Sequence, residues 1–389
     1  MKKPLEGIKI LDLTWIFSGP FSTMLLQDLG AEVVKIEMPG IGDKTRYFPP
    51  FKNNESGYFY MLNRDKKSVA LDLKTPENQQ TFKELVKSFD IVVENFTPGT
   101  MAKMKLDYES LREENPSLIY ASISGFGSYG TDSNLPSIDP IAQAMGGLMG
   151  LTGEVGRAPQ KTGPGITDGI AGIYLALGIV SALYEREQTG LGQEIEVSMQ
   201  EGVVSLLEDA VIRISMTGET LKPKGNIDAF GAPWDSFKTK DHKWVMICAL
   251  DSKQFETCFQ LIGRSDLAEE FAGDTNKANK KRSEQLELLN SVFGEWVLQQ
   301  SAGQITEILR EKGILVGEVK TVNELLEDQH LKDRKMFSIL QHDSLGTIQI
   351  ANSPILFNKH RHSSIQDNNV RTAKIGEHTS EILEKYLKK

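Results

Sequence analysis

Short apolar runs alternate with amphipathic stretches through the first third of the chain. The runs at 8–13, 32–37, 68–73, 90–93 and 118–123 have the length and composition of buried strands. Between them, apolar side chains recur at helical spacing, and Gly19-Pro20, Thr75-Pro76 and Thr97-Pro98 mark the breaks where helices begin. Strands separated by helices predict an α/β fold with a doubly wound, Rossmann-like parallel sheet.

The pattern changes after residue 124. Closely spaced glycines over 125–165 predict irregular backbone, followed by a helix at 166–186, a strand at 193–197 and a single helix at 199–215. A smaller α/β domain is predicted for 221–325, with a strand at 243–247 and helices at 252–262, 283–299 and 304–312. The large domain therefore comprises 1–220, and 326–389 returns to it with a strand at 347–351, a polar loop at 360–370 and a helix at 379–387.

The composition is that of an ordinary globular protein. Hydrophobic residues make up 39% and charged residues 25%, and the net charge of −9 disfavours a nucleic-acid partner. The two cysteines, Cys248 and Cys258, cannot form a disulfide framework. The N-terminal residues lack the apolar core of a signal peptide, and the uncharged stretch at 169–184 is shorter than the ~20 residues of a membrane span. We therefore expect a cytoplasmic protein without a membrane partner, in which 169–184 is a close-packed core helix.

Common catalytic motifs are missing from the chain. The first strand, turn and helix contain no G-x-G-x-x-G fingerprint, and no G-x-x-x-x-G-K-[ST], H-E-x-x-H or G-x-S-x-G sequence occurs in the chain. The closely spaced His360 and His362 lie in a polar, basic stretch that is typical of a solvated loop, so no metal site is predicted. Serine hydrolase and zinc protease chemistry are therefore disfavoured. An open α/β sheet nonetheless binds ligands at the carboxyl ends of its strands.

Asp168 is the acidic residue with the most distinctive surroundings. It lies in Gly163-Pro164-Gly165-Ile166-Thr167-Asp168-Gly169, at the start of the long predicted helix. The positive end of the helix dipole and the free backbone amides predict a low pKa and an ionised carboxylate at neutral pH. Flanking glycines leave the carboxylate sterically open, as an oxygen nucleophile requires. From the local sequence alone, a capping role accounts for the residue as well.

Several segments, taken together, resemble one enzyme family. They are Ile10-Leu11-Asp12-Leu13-Thr14 with Gly19-Pro20, Gly30-Ala31-Glu32-Val33-Val34-Lys35-Ile36-Glu37, Gly42-Asp43 with Arg46, Asn63, Lys67-Ser68, Leu71-Asp72-Leu73-Lys74, Glu94-Asn95-Phe96 with Pro98-Gly99, Gly190-Leu191-Gly192-Gln193 and Ile375-Gly376-Glu377-His378-Thr379. These segments span nearly the whole chain and follow the order in which the family has them. In this set the protein resembles the class III CoA-transferases. That family includes formyl-CoA transferase, carnitine CoA-transferase and the α-methylacyl-CoA racemases.

The resemblance implies an enzyme that moves CoA from an acyl-CoA thioester to a free carboxylic acid. The family's nucleophile is an Asp upstream of a T-G-x-G-Q segment, a position that Asp168 holds here before Thr189-Gly190-Leu191-Gly192-Gln193. The implied intermediates are an aspartyl anhydride and an aspartyl-CoA thioester, with glycine amides at 146–147 and 163–165 as candidate oxyanion donors. CoA is then a substrate rather than a tightly bound cofactor, and the family forms interlaced homodimers.

The resemblance also implies which positions contact CoA. In this chain they are Phe17, Ser18, Met38, Leu71, Asp72, Leu73, Lys74, Asn95, Phe96, Thr97, Lys103, Ile138 and Asp139, with Lys74 and Lys103 facing phosphates. Met38 stands where an Arg is common, so Arg46 or another base is expected to compensate. Phe17 stands where formyl-CoA transferases carry Gln, which disfavours a formyl-CoA and oxalate assignment and suggests a more apolar active-site mouth.

Two alternatives stay open beside the transferase. An acyl-CoA racemase or epimerase needs a His–Asp pair to exchange an α-proton, and its His position is occupied by Ile138, which cannot carry a proton. A catalytically silent CoA-binding protein has no need of Asp168. A transferase assay with a panel of acyl-CoAs separates the three hypotheses, while the sequence does not reveal the donor or the acceptor acid.

Overall fold

The computed structural model describes residues 2–227, 231–342, 344–361 and 371–387.

The chain divides into two compact units. The larger comprises Met1–Gly150, Lys161–Leu221 and Gln329–Lys389, and the smaller comprises Leu151–Gln160 and Lys222–Asp328. The sequence-based division placed 151–160 in the large domain, whereas this segment packs within the smaller unit, where the Gly225 amide donates to the Gly153 carbonyl at 2.8 Å. Most of the polar loop predicted at 360–370 lies outside the described residues.

The large unit begins with alternating strands and helices, as the sequence pattern predicts. Its strands are β1 (Lys9–Asp12), β2 (Glu32–Glu37), β3 (Phe51–Lys52), β4 (Glu55–Ser56), β5 (Lys67–Ala70), β6 (Ile91–Glu94) and β7 (Ile119–Ser124). Its helices are α1 (Ser18–Asp28), α2 (Gly57–Asn63), α3 (Pro76–Val86), α4 (Thr100–Lys103) and α5 (Tyr108–Arg112), with a 3₁₀ helix at Lys44–Tyr47. The hydroxyl of Thr75 accepts the Asn78 amide, which confirms the predicted start of α3.

The next part of the chain carries the longest helix. Its elements are α6 (Asp139–Met145), α7 (Leu148–Leu151), α8 (Ile166–Thr189), β8 (Glu194–Ser198), α9 (Met199–Val204) and α10 (Ala210–Thr217). The prediction of one helix at 199–215 is wrong, because the chain forms two helices there. Glu208 between them has φ +52°, in the left-handed region that interrupts a right-handed helix.

The smaller unit is a three-stranded antiparallel sheet packed against helices. Its strands, in the order β11-β10-β9, are β9 (Trp234–Lys238), β10 (Trp244–Cys248) and β11 (Leu315–Glu318). Its helices are α11 (Ser252–Leu261), α12 (Ser265–Glu270), α13 (Asn276–Glu284), α14 (Leu286–Val297), α15 (Ala302–Glu311) and α16 (Val322–Glu327). Burial raises the pKa of the Cys258 thiol to about 12, which makes this thiol unreactive.

The C-terminal part of the chain completes the large unit. It forms α17 (Gln329–Asp333), β12 (Phe337–His342), β13 (Gly346–Ala351), β14 (Leu356–Phe357), β15 (His360–Arg361) and α18 (Thr379–Leu387). Before α18, the His378 amide donates to the Ser68 carbonyl at 2.9 Å, and the Ala70 amide donates to the Thr379 hydroxyl at 3.0 Å. The family-like segment at 375–379 therefore covers the edge strand β5, which is a structural role.

The long strands of the large unit form one six-stranded parallel sheet in the order β5-β2-β1-β6-β7-β8. The predicted parallel α/β sheet is thereby confirmed, and the order is that of Rossmann-type doubly wound folds. In such folds, ligands bind beyond the carboxyl ends of the strands, at the point where the strand order reverses. Here that point lies between β1 and β6.

The two faces of this sheet bury different helices. Alternating residues of β1 point to opposite faces, as in any strand. Leu11 packs in a core with Phe82 of α3 and Ile382 of α18, whereas Ile10 packs in a core with Leu175 of α8. Helices α1 and α8 therefore lie together on one face of the sheet.

Helix α8 differs from the close-packed core helix that its composition predicts. Among the described residues, α8 is the one helix long and apolar enough to cross a membrane, and 39% of its most apolar stretch is buried inside the protein. Leu175 and Ile179 face the core, whereas Ile173 and Leu177 on the other side are 55% and 59% exposed. A single helix of this kind, packed by one face on a sheet, is weak evidence for a membrane.

Candidate active site

The predicted ligand-binding residues lie at the carboxyl edge of the parallel sheet. Phe17 and Ser18 follow β1, Met38 follows β2, residues 71–74 follow β5, residues 95–97 follow β6 with Lys103 in α4, and Ile138 and Asp139 come after β7. Segments far apart in sequence converge there because parallel strands present all their carboxyl ends at one edge.

Asn95 joins the loops after β1 and β6 at the reversal point of the sheet. Its Oδ1 accepts the Trp15 amide and its Nδ2 donates to the Trp15 carbonyl, both at 2.8 Å. Because both ends of the side-chain amide are engaged in this way, Asn95 holds the loop that carries Phe17 and Ser18. Its contact with CoA stays a prediction.

Asp168 lies in the first turn of α8, after the N-cap residue Gly165. Its carboxylate forms a hydrogen bond with the side chain of Ser18, the first residue of α1. A Cβ at Gly165 would stand 3.5 Å from Oδ2 of Asp168 and 3.8 Å from Cδ1 of Phe17. The fold therefore brings Asp168, Ser18 and Phe17 together in one place.

Asp139 links the start of α6 to the start of α8. Its Oδ1 accepts hydrogen bonds from the amide (2.8 Å) and the hydroxyl (2.7 Å) of Thr167, and its Oδ2 accepts one from Nε2 of Gln143 (2.7 Å). Its side chain is buried. These protein donors occupy the carboxylate, so a contact between Asp139 and CoA is left to its main chain.

The expectation of a low pKa for Asp168 is wrong. Burial and the negative charge of Asp139 raise the pKa of Asp168 to about 7, against the lowering effect of the hydrogen bond with Ser18. Desolvation of a carboxylate outweighs the modest stabilisation that a helix N-terminus provides. At neutral pH the group is therefore close to half protonated.

Aromatic rings line the space beside Asp168. Phe17 stacks on Phe21 with ring centroids 5.4 Å apart, and meets Tyr58 edge-on at 6.4 Å. Tyr58 in turn meets Phe48 edge-on at 5.8 Å, and its pKa is raised by burial and by the charge of Asp168. Sequence reasoning found Phe17 but missed Tyr58 and Phe48, because neither lies in a recognisable motif and only the folded chain brings them here.

Buried charges lie at the ends of the central strands beneath the site. Oδ2 of Asp12 accepts a hydrogen bond from Nζ of Lys66 at 2.9 Å, and Lys35 pairs with Asp43 at 3.0 Å. Burial opposes the ionisation of Asp12, yet Lys35 and Lys66 hold its pKa well below its usual range. Oδ1 of Asp43 also accepts the Ile16 amide at 3.3 Å. The family-like segments in β1 and β2 therefore contribute a charge network that supports the loop before Phe17.

The predicted CoA contacts at 71–74 and 103 differ in whether their side chains are buried or exposed. Leu71 and Leu73 are buried in the core, so their side chains cannot meet a ligand in this arrangement. Asp72 closes the turn, with Oδ1 accepting the Lys74 amide at 3.1 Å. Lys74 and Lys103 are exposed, and neither makes an ion pair in the part of the chain that the structure describes. Both ammonium groups are therefore available to an anionic ligand.

Arg46, the base named as a replacement for the Arg missing at Met38, is engaged by other parts of the protein. Its guanidinium donates to the Glu37 carboxylate through Nε at 2.9 Å and Nη2 at 2.8 Å, and Nη2 also donates to the Ala373 carbonyl at 2.9 Å. It faces a cavity of about 550 Å³ whose described lining includes none of the predicted CoA contacts. Arg46 therefore holds the end of β2, and its role as the base that compensates for Met38 stays a prediction.

Lys44 is a free cation that sequence reasoning missed. It lies in the same 3₁₀ helix as Arg46, is exposed, and places Nζ 5.4 Å from the ring centroid of Trp15. Trp15 meets Phe96, a predicted CoA contact, edge-on at 5.9 Å. Within the described residues Lys44 makes no ion pair. A lone surface lysine carries no signal in the sequence, which explains the omission.

Two glycine-containing segments that stand out in the sequence have structural roles. A Cβ at Gly192, in the T-G-L-G-Q segment, would stand 1.9 Å from the Leu118 carbonyl oxygen, so this position requires glycine. The Gly146 amide donates to the Ala142 carbonyl at 2.8 Å and is not a free oxyanion donor. No group of His, Cys, Asp and Glu side chains suited to a metal ion occurs among the residues described.

The chain matches the family model described as CoA-transferase family III over residues 5–378. The chain belongs to CoA-transferase family III. The transferase is 37% identical to the succinyl-CoA:mesaconate CoA-transferase of Haloarcula hispanica, over 98% of its own chain and 96% of that protein. It is 33% identical to the succinyl-CoA:glutarate CoA-transferase of Mus musculus, over 99% and 87% of the two chains.

A solved structure of a CAIB/BAIF family protein from Brucella suis is similar to the transferase throughout. Its TM-score is 0.85 at 31% sequence identity, with 99% of this chain and 100% of that chain covered. The family resemblance and the enzyme class inferred from the sequence are thereby confirmed.

Proposed function

We propose that this transferase moves CoA from an acyl-CoA thioester to a free carboxylic acid, with Asp168 as the nucleophile. The observation that carries the proposal is the position of Asp168: it lies in the first turn of α8, in hydrogen-bond contact with Ser18, at the carboxyl edge of the sheet. That edge is where open α/β sheets bind their ligands.

Covalent catalysis suits this group. The ionised carboxylate of Asp168 attacks the thioester carbonyl, the C–S bond breaks, and the CoA thiolate leaves a mixed anhydride on the enzyme. The thiolate then attacks Cγ of Asp168, releasing the donor acid as its carboxylate and leaving an aspartyl-CoA thioester. The acceptor carboxylate attacks that thioester to form a second anhydride, and the thiolate takes the acceptor acyl group. Asp168 is regenerated, and no oxidant, reductant or water is consumed.

Three exposed lysines are proposed to attract the phosphates of CoA. Lys74 and Lys103 follow β5 and β6, and Lys44 lies over Trp15 beside the reversal point of the sheet. An ammonium group binds phosphate as a point charge. Because Arg46 is bound to Glu37, we propose that Lys44 supplies the cationic charge that Met38 lacks.

The aromatic cluster of Phe17, Phe21, Phe48 and Tyr58 is proposed to line the acyl-binding side of the site. Its packing supports the exclusion of water, which would otherwise hydrolyse the anhydrides. The two relatives named above act, by their names, on succinyl-CoA with mesaconate or glutarate. A test panel therefore includes dicarboxylic acids beside apolar monocarboxylic acids.

The racemase hypothesis is less well supported. Ile138 is the N-cap residue of α6, immediately before Asp139, and its side chain is exposed. A hydrocarbon side chain cannot accept or donate the α-proton that a racemase exchanges.

We further propose a homodimer that uses the outer face of α8. Four exposed apolar side chains share one face of this helix at helical spacing; we term Ile173, Leu177, Val180 and Tyr184 the α8 stripe. Helix α10 also exposes apolar side chains, such as Val211 and Ile212. An exposed apolar stripe such as that of α8 is typical of an interaction site. The interlaced arrangement is proposed from the family resemblance.

The test of the nucleophile uses Asp168→Ala, Asp168→Asn and Asp168→Ser, with Asp132→Ala as a control in the loop after β7. We expect the three Asp168 variants to lose transfer and the control to keep it. Hydroxylamine added during turnover of the wild type should convert Asp168 to a hydroxamate, which peptide mass spectrometry detects. Transfer at the wild-type rate by Asp168→Ala would overturn the proposal.

A further inference from the structure

Asp139 and Asp168 are neighbouring carboxylates on two different helices. A Cβ at Gly165 would stand 3.5 Å from Oδ2 of Asp168 and 3.8 Å from Cγ of Asp139, so both groups border the same small space. Their hydrogen bonding differs. Asp139 accepts three hydrogen bonds from Thr167 and Gln143, whereas Asp168 is bonded to Ser18.

A carboxylate that accepts several hydrogen bonds keeps its negative charge, and a like charge beside a second carboxyl disfavours ionisation of that second group. Two acids in unequal surroundings thus acquire different roles, one remaining charged while the other holds its proton to higher pH. The geometry matches this division, with Asp139 as the charged member and Asp168 as the member that titrates.

We propose that Asp139 is a positioning residue that holds a fixed negative charge beside Asp168 and so sets the pH range in which the nucleophile is ionised. The proposal rests on the proposed role of Asp168. It assigns to Asp139 a function that is separate from CoA contact.

Apart from burial, the groups around the pair leave Asp139 as the charge that raises the pKa of Asp168. Helix α1 contributes the hydroxyl of Ser18, and α2 contributes Tyr58, whose raised pKa follows from burial and from the charges of Asp168, Asp43 and Asp139. Helix α9 meets α8 at Gly202, where a Cβ would stand 3.2 Å from Ile170. Among the described residues, Asp139 is the one charged group that shifts the pKa of Asp168, and it acts together with burial.

The charge of Asp139 affects the pH range in which the Asp168 carboxylate attacks the thioester. A more basic carboxylate is a stronger nucleophile once it is ionised, whereas its proton blocks attack below its pKa. The formation of aspartyl-CoA removes the charge of Asp168, so the acceptor carboxylate then meets the charge of Asp139 alone. Asp139 therefore limits the first step at acid pH and favours a strong nucleophile near neutrality.

The main test compares the pH dependence of kcat/KM for acyl-CoA in the wild type, Asp139→Asn and Asp132→Asn. Asparagine keeps an acceptor for Thr167 and removes the charge. We expect the rising limb of the wild-type profile near pH 7 and that of Asp139→Asn lower by about one pH unit or more. Asp132→Asn, which removes a charge from the loop preceding α6, should follow the wild type. An unshifted limb in folded Asp139→Asn would overturn the proposal, because a merely structural residue would change the rate without moving the limb.

A second measurement needs neither catalysis nor a variant that folds. A water-soluble carbodiimide modifies protonated carboxyl groups, and peptide mass spectrometry follows Asp168 and Asp132 in the same wild-type sample across pH. We expect Asp168 to lose its reactivity only as the pH rises through about 7, while the Asp132 peptide serves as the reference for the yield of the reaction. Loss of the reactivity of Asp168 well below neutral pH would contradict the proposal. If Asp168→Ala instead retained transfer, the proposed function would fail. The titration would still measure the protonation of Asp168 beside Asp139 in the wild type.

Discussion

Gly172 of α8 lies directly against the backbone of Ser18 in α1. A Cβ at position 172 would stand 2.7 Å from the Ser18 carbonyl oxygen and 3.0 Å from Cδ1 of Phe21. Asp168 lies one helical turn earlier on α8, where it bonds to the Ser18 side chain. The glycine thus sets the distance between the two helices, and with it the contact between Ser18 and the proposed nucleophile Asp168.

Gly172→Ala is expected to lower both stability and turnover. The added methyl group forces α1 away from α8, at a cost of roughly 1–3 kcal/mol for an overpacked contact. Gly303→Ala is the matched control, because position 303 lies in α15 with nothing within 4 Å of the added Cβ. The control should be neutral or up to ~1 kcal/mol more stable, since alanine favours helix. Urea unfolding measures the stability of each variant, and a transfer assay measures its turnover. Wild-type values of both quantities for Gly172→Ala would contradict the packing argument.

Asn95→Ala should loosen the loop that carries Phe17 and Ser18. It removes both hydrogen bonds to Trp15, and leaving polar groups unsatisfied costs roughly 1–3 kcal/mol. We expect a lower free energy of unfolding together with a higher KM for acyl-CoA. Unchanged values of both quantities would remove Asn95 from the site.

Lys44→Ala, Lys74→Ala and Lys103→Ala should each raise the KM for acyl-CoA and weaken its dependence on salt. Each removes a Coulombic attraction to phosphate, which ions screen. Lys253→Ala, an exposed lysine of the smaller unit, is the control. Repeating the assay with a 3′-dephospho-acyl-CoA identifies the phosphate that each lysine meets, because the lysine facing the 3′-phosphate loses its effect. If Lys44→Ala bound acyl-CoA like the control, another group would compensate for Met38.

Asp168→Asn should make the protein more stable above neutral pH while abolishing transfer. The pKa of Asp168 is raised in the folded state, so between about pH 4 and pH 7 the folded protein holds a proton that the unfolded chain releases. Wild-type stability therefore falls as pH rises through that window, and the penalty persists above it. The variant lacks this penalty, and we expect it to exceed the wild type by ~1 kcal/mol or more at about pH 8, with little difference near pH 4. Urea unfolding at fixed protein concentration measures the free energy of unfolding of the two proteins at each pH. A difference between variant and wild type that is the same at the two pH values would contradict the pKa assignment.

Leu177→Glu should weaken the proposed dimer. It places a charge in the centre of the α8 stripe, where burial against a partner is unfavourable. Light scattering of the wild type should report a mass near twice 43.3 kDa, and the variant a lower mass on dilution. Gln299→Glu, an exposed substitution in the smaller unit, should leave the mass unchanged. A wild-type monomer that transfers CoA would exclude the homodimer.

The strands of the parallel sheet, most helix starts and the family of the protein were predictable from the sequence. Apolar runs and residues such as Thr75 act locally, so β2, α3 and α18 lie where the pattern places them. The break at Glu208 was not predictable, because a left-handed residue within an otherwise helical pattern leaves no apolar signature. Among the motifs, Gly192 and the segment at 375–379 were visible in the sequence, but only the fold shows that they serve packing and edge protection.

By itself, the sequence determined the alternation of strands and helices, the family, and Asp168 as the candidate nucleophile, because these depend on local pattern and on motif order. The tertiary structure decided the charge state of Asp168, the partners of Arg46 and the position of Lys44, an exposed cation without an ion pair among the described residues. Desolvation and Coulomb interactions depend on distances through space, and those distances join Asp168 to Asp139 on another helix. For the same reason the local signals at the start of α8 predict an ionised carboxylate, whereas burial beside a second acid raises its pKa to about 7.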